Sequence, residues 1–191
     1  MQLRPNTALI VIDVQQGFDL DPAYWGERNN PTAEANMQRL LNGWRQSARP
    51  IYHTKHNSTT PQSPLHPTHA GNQFKLAFMP ADDEIVIEKD VNSAFIGTDL
   101  EQRLRAADID QLVMIGLTTD HCVNTTTRMA GNLGFETYLV HDATATHART
   151  GYDGTHYDAQ TIHEIAIASL KDEFATIVDT AMLLKALEAD D

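Results

Sequence analysis

Short apolar runs alternate along the chain with stretches whose apolar residues fall three and four apart. The first run, Ala8 to Val14, is ALIVIDV. It is rich in β-branched residues and broken only by Asp13, the pattern of a strand buried on both faces. Gln15 to Phe18 reads as a loop, and so does Asp21 to Asn30, which carries Tyr24 and Trp25. From Pro31 to Ser47 the spacing of Met37, Leu40, Leu41 and Trp44 predicts a helix, with Pro31 suited to its first position. Pro50 to Thr54 is a short strand, and Ile85 to Ile87 is another, ended by Glu88, Lys89 and Asp90. A helix over Thr98 to Ala107 has Thr98 as its cap with Glu101 three residues on. Gln111 to Ile115 is a buried strand closed by Gly116. Thr118, Thr119 and Asp120 then suit the N-terminus of a helix through Leu133. Glu136 to Val140 is a strand and Asp142 to Thr155 a loop. His156 to Lys171 is helical by the spacing of Ile162, Ile165, Ala166 and Leu170. Ala175 to Val178 is a last strand, and Asp179 caps a helix to about Glu188.

This alternation predicts an α/β protein with a parallel sheet and helices on both faces. One segment breaks the rhythm. Lys55 to Pro80 is polar and holds Pro61, Pro64, Pro67 and Pro80 with His56, His66 and His69. Loops of that length are uncommon in compact domains unless functional. The segment reads as an active-site or interface loop rather than a boundary, so a single domain is expected over residues 1–191.

Composition narrows the function. The formal net charge is −12, which argues against nucleic acid and anionic membranes as partners. One cysteine rules out an intrachain disulfide and a zinc site made only of cysteines. There is no apolar run long enough to span a bilayer, and the N-terminal run leads into Asp13 without a signal-peptide layout. A cytoplasmic protein acting on a small molecule is the expectation.

Three expected strand ends each carry one residue of unusual chemistry: Asp13, Lys89 and Cys122. Right-handed crossovers place all three at one edge of a parallel sheet, the edge where such sheets bind ligands. Cys122 would lie in a first helical turn, where unpaired N–H groups and the helix dipole favour thiolate. A thiolate is a nucleophile, a carboxylate can carry the thiol proton to a leaving group, and an ammonium can hold both. The plainer alternatives are a small buried core cysteine and an aspartate paired for structure alone.

The pieces VIDVQQGF, EKDVNSAFIGTDL and GLTTDHCVNTTTRMAGNLGFETYLVHDATAT resemble the isochorismatase-like cysteine hydrolases. That family includes nicotinamidases, N-carbamoylsarcosine amidohydrolase, ureidoacrylate amidohydrolases and streptothricin hydrolase. The resemblance runs from Ala8 to about Thr180. It implies a three-layer αβα, Rossmann-like fold with a six-stranded parallel sheet. It also implies a catalytic triad of Asp13, Lys89 and Cys122, with an acyl-enzyme formed on Cys122. It further implies a cis Leu117–Thr118 peptide bond, an oxyanion hole from the N–H groups of Thr118 and Cys122, and a homo-oligomer, either dimer or tetramer.

One departure is informative. Metal-containing nicotinamidases carry Asp-x-His after the second strand, and the matching stretch here is Thr54-Lys55-His56. The aspartate is missing, so no metal and no cofactor is expected, and the chain looks like the metal-free, streptothricin-hydrolase-like members. The pairs His53–His56 and His66–His69 then read as solvated or loop-packing histidines. Phe18, Trp25, Asn92, Phe95 and Tyr152 are candidates to line the pocket, since they lie on loops leaving strand ends; core packing is the alternative for the aromatics. His121 precedes the cysteine, but neighbours on a helix point about 100° apart, so it is a pocket or packing residue rather than the base. The function expected is hydrolysis of a C–N bond in a small amide, lactam or ureido compound. The alternatives are an isochorismate-type enol-ether hydrolase and a non-catalytic binding protein.

Overall fold

The computed structural model describes residues 2–189; residues 1, 190 and 191 of the expected domain lie outside the described residues. The elements, in chain order, are β1 (Ala8–Ile12), α1 (Gly17–Leu20), α2 (Pro22–Trp25), α3 (Ala33–Gln46), β2 (Ile51–His56), β3 (Ile85–Lys89), α4 (Leu100–Ala106), β4 (Gln111–Leu117), α5 (Asn124–Asn132), β5 (Glu136–Ala145), β6 (Arg149–Thr150), β7 (His156–Tyr157), α6 (Ala159–Ala168), β8 (Thr176–Val178) and α7 (Thr180–Glu188). A π-helical turn, Thr119–Val123, joins β4 to α5.

The sheet has six strands in the order β3-β2-β1-β4-β5-β8, and every pairing in it is parallel. Successive residues of a strand face opposite sides, and β1 shows why its run had to be apolar throughout. Leu9 and Val11 join one core with Met37, Leu40 and Trp44 of α3 and Leu183 of α7. Ile10 and Ile12 join the other, with Leu100 and Leu104 of α4 and Ala130 of α5. Burying each such large side chain contributes about 1.5–3 kcal/mol. Trp44 is fully buried, and its indole N–H finds the Thr7 carbonyl at 3.0 Å.

The structure moves several expected boundaries. Where loops were expected after β1 there are two short helices, α1 and α2. Helix α3 starts at Ala33, two residues beyond Pro31. Helix α4 has Asp99 as its cap, and Thr98 one residue earlier accepts the Leu100 N–H at 3.3 Å. Strand β2 runs to His56 rather than Thr54, because β3 pairs with it as far as Lys89. Strand β5 runs to Ala145, resuming its pairing with β4 after a register shift between Met114 and Gly116. Tyr157 and His156 pair with Arg149 and Thr150 as a hairpin. Helix α6 therefore starts later than its apolar spacing suggested, capped by Asp158, which accepts the Thr161 N–H at 2.8 Å.

The long segment after β2 is built down onto the sheet edge that carries Asp13. It contains two short 3-10 turns, Ala70–Asn72 and Leu76–Phe78. Buried Asn72 fastens it: its Nδ2 donates to the carbonyls of Leu65 at 2.8 Å and His56 at 3.1 Å. Gln15, just past β1, donates to the Asn72 carbonyl at 2.8 Å. A side chain on Gly71 would stand 2.7 Å from the Gly17 Cα, so the segment seats on α1 only because both residues are glycine. Among the described residues no helix is long and apolar enough to cross a membrane.

Candidate active site

The parallel register brings three strand ends side by side. Ile12 of β1 pairs with Thr54 of β2 and with Gly116 of β4, and His56 of β2 pairs with Lys89 of β3. The approach of β1 to β4 depends on Gly116. Its φ is 131°, and a Cβ there would lie 2.1 Å from the Ile12 carbonyl oxygen. No other residue tolerates both, so Gly116 sets how closely the end of β1 lies to the turn that carries Cys122.

Asp13 stands immediately beyond β1, with a φ of 50°, in the left-handed region that a non-glycine residue seldom occupies. Its backbone N–H is held by the Thr54 carbonyl at 3.2 Å. Its carboxylate accepts the Thr54 hydroxyl at 2.5 Å on Oδ1 and the Lys89 ammonium at 2.6 Å on Oδ2. Neither Lys89 nor Asp13 reaches solvent, with side-chain exposures of 0% and 1%. Burial by itself would lower the Lys89 pKa. The Asp13 carboxylate, and then the Cys122 sulfur, outweigh it, and the ammonium is held above its ordinary value.

Cys122 lies in the π-helical turn and is 8% exposed. Asp13 and Lys89 both neighbour its sulfur. Burial, and then the Asp13 carboxylate, push the thiol pKa up, while Lys89 pulls the other way without prevailing. This reverses one expectation: the start of a helix was to favour thiolate, whereas here desolvation and a facing carboxylate keep the resting group a thiol.

The Leu117–Thr118 peptide bond is cis. Thr118 is buried, and its carbonyl accepts the N–H groups of His121 at 3.1 Å and Val123 at 3.2 Å, which closes the turn around Cys122. Two further side chains of the turn fasten it to the neighbouring elements. The Thr119 hydroxyl meets His163 Nδ1 of α6 at 2.9 Å. The Asp120 carboxylate accepts the Thr146 hydroxyl and the Arg149 Nε, the latter at 3.0 Å. His121 is turned to Asp120, 3.5 Å away, with its side chain half exposed.

The expected pocket residues divide. Phe18 and Trp25, on α1 and α2, pack at a centroid distance of 4.7 Å, and His147 stacks on Trp25 at 5.7 Å. This aromatic group follows β1 and β5, on the edge that carries Asp13. Asn92 is exposed, and its carbonyl accepts the hydroxyl of Thr126 on α5 at 3.4 Å. Phe95 instead stacks on Phe135 at 5.9 Å, at the start of β5 and so toward the opposite edge of the sheet. Tyr152 is fully exposed in the hairpin turn between β6 and β7.

The sequence reading of His56 as a solvated or loop-packing histidine is corrected. The ring lies at the centre of the cluster, with Nδ1 3.2 Å from the Lys89 ammonium and 3.9 Å from the Cys122 sulfur. The signal was available in register: extending β2 by two residues pairs His56 with Lys89. The other histidines of the region separate. His53 is fully buried against Glu84 at 2.7 Å, while His66 and His69 face each other on the surface.

Among the described residues, the ligating atoms of Asp13, His56 and Cys122 lie within 4.8 Å of one another. The ammonium of Lys89 already contacts Asp13 and His56, so a metal cation would have to displace another cation. The metal of the Asp-x-His members does not fit either, because position 54 offers only a hydroxyl and that hydroxyl is given to Asp13.

Known proteins share the fold that carries this cluster. The family model for the isochorismatase domain matches residues 7–182. The isochorismatase-family protein YrdC of Bacillus subtilis is 49% identical over 95% of this chain and 96% of its own length. The crystal structure of an isochorismatase-family protein from Chromobacterium violaceum superposes with a TM-score of 0.94 at 39% identity, covering 99% of this chain and 97% of that one. Streptothricin hydrolase of Streptomyces noursei is 32% identical over 73% of this chain and 50% of its own. With its six-stranded parallel sheet and a domain match over nearly its whole length, the chain belongs to the isochorismatase family of hydrolases.

Proposed function

We propose that the chain is a cysteine-dependent amidohydrolase that cleaves the C–N bond of a small amide, lactam or ureido compound. The observation that carries this reading is the packing of a carboxylate, an ammonium and a thiol in one buried cluster at the ligand-binding edge of the sheet. A structural ion pair alone leaves the cysteine beside it without a purpose. Asp13 takes the proton of the Cys122 thiol as sulfur attacks the carbonyl carbon, and returns it to the leaving nitrogen. The Lys89 ammonium stabilises the thiolate as it forms and keeps Asp13 in place. The backbone N–H groups of Thr118 and Cys122 are the proposed donors to the tetrahedral oxyanion. Water then cleaves the thioester, with Asp13 as base. The similarity to streptothricin hydrolase supports a hydrolase acting on a small molecule.

A homo-oligomer belongs to the same reading, supported by the exposure of Leu76 on the segment that covers the site, and light scattering at the monomer mass would contradict it. The activity is tested on a panel, by ammonia release from small primary amides and ureido compounds and by formation of the ring-opened amino acid from lactams, before and after treatment with iodoacetamide. Cleavage of one class, abolished by alkylation, is expected. Silence across the panel together with pyruvate released from isochorismate would establish the enol-ether reading in its place.

A further inference from the structure

The Lys89 ammonium is buried and has three N–H groups to satisfy. Asp13 Oδ2 takes one at 2.6 Å, and the Cys122 sulfur is a second partner. The third position is filled by His56 Nδ1 at 3.2 Å. An ammonium only donates, so the Nδ1 that faces it must present a lone pair, and the ring proton must sit on Nε2. We propose that His56 is a positioning residue of this site, whose Nδ1 lone pair orients the Lys89 ammonium against the Cys122 sulfur. The proposal rests on the reading of Asp13, Lys89 and Cys122 as the reacting set.

The backbone that carries the ring is fixed on both sides. The His56 backbone N–H donates to Gln15 Oε1 at 2.9 Å, and its carbonyl accepts from Gln15 Nε2 and Asn72 Nδ2, each at 3.1 Å. The charged and titratable groups facing the ring are Lys89 and Asp90 from β3 and its end, Asp13 from β1, and Cys122 from the π-helical turn. Burial, and then Lys89, hold the imidazole pKa below its ordinary value, against the smaller pull of Asp13 and Asp90. Protonation of Nδ1 would remove the acceptor and set two cations 3.2 Å apart. This also settles which of two nearby bases takes the thiol proton. Transfer from Cys122 to His56 creates that pair of cations; transfer to Asp13 does not. The proton therefore passes from sulfur to the carboxylate, and His56 remains neutral throughout.

The test uses the full chain labelled with 15N-histidine. Long-range 15N correlation spectra should show His56 as the neutral Nε2–H tautomer at pH 7, still neutral as the pH falls through 6.5. Lys89→Met should raise the pH at which it titrates. An Nδ1–H tautomer or an imidazolium at pH 7 would overturn the proposal. Iodoacetamide alkylation of Cys122 at pH 8 provides a second reading. His56→Leu should slow it about 10-fold or more, the worth of a hydrogen bond to a charged group. His56→Asn, which keeps an acceptor, should return it to within about threefold of wild type. Equal rates in wild type and a folded His56→Leu variant would also overturn the proposal. These readings do not depend on turnover, so they separate a failure at His56 from a failure of the Cys122 acyl-enzyme reading, which shows as amide cleavage by Cys122→Ala.

Discussion

The Lys89 ammonium meets the Asp13 carboxylate at 2.6 Å, with neither side chain open to water. Each is the other's compensation for burial. Removing one partner of such a pair typically costs about 3–5 kcal/mol, most of it the charge left behind. Lys89→Met should therefore lower stability by about that amount in urea unfolding, and Asp13→Asn combined with it should recover a large part of the loss. Additive losses in the double variant would show that the two groups are not coupled.

The same pair acts on Cys122 with opposite signs. Burial and then Asp13 raise the thiol pKa, and Lys89 opposes them. Lys89→Met should move the profile of iodoacetamide alkylation against pH toward higher pH. Asp13→Asn should move it toward lower pH while reducing turnover by about 10²–10⁴-fold, the usual contribution of a positioned acid–base group. Shifts in the same direction would break the link between this geometry and the thiol.

Turnover should be unchanged after exhaustive treatment with a chelator, since the Lys89 ammonium neighbours all three clustered donors and Thr54 adds no carboxylate. Activity lost to the chelator and restored by zinc would contradict this.

His147 gives the fold an acid limit. Burial, and then Arg28 and Arg149, hold its pKa down to about 4. In the unfolded chain an imidazole takes its proton near pH 6.5. Between those values the unfolded state binds more protons, so this contribution is complete above pH 6.5 and is lost as the pH falls toward 4. Urea midpoints should fall from pH 7 to pH 5. His147→Phe, which keeps an aromatic ring against Trp25, should reduce the fall. An identical pH dependence in the variant would remove His147 as its source.

Much of the fold was legible because β1 and β4 are buried on both faces and must be apolar throughout, while α3 and α6 bury one stripe and so show it in their spacing. Asp13, Lys89 and Cys122 stood out because polar residues at the ends of such strands need a partner or a task. Other features were hidden for physical reasons. The short helices α1 and α2 lack the length to display a period. The extension of β2 to His56 depends on pairing with β3, a contact between residues far apart in the chain. The direction of the Cys122 shift was misjudged because local position at a helix start was weighed, and burial beside Asp13 was not visible.

The central claim is that sulfur carries the acyl group. Its most direct measurement is the rate of C–N cleavage by Cys122→Ala, read as ammonia from a primary amide or ureido compound or as the ring-opened product from a lactam, on the compound that the wild-type protein cleaves, with circular dichroism to verify the fold. Alanine fills a small buried site and suits a helical turn, so the variant should fold and show no cleavage above the uncatalysed rate. A folded Cys122→Ala protein that cleaves the compound at the wild-type rate would contradict the acyl-enzyme and with it the role given to the whole cluster.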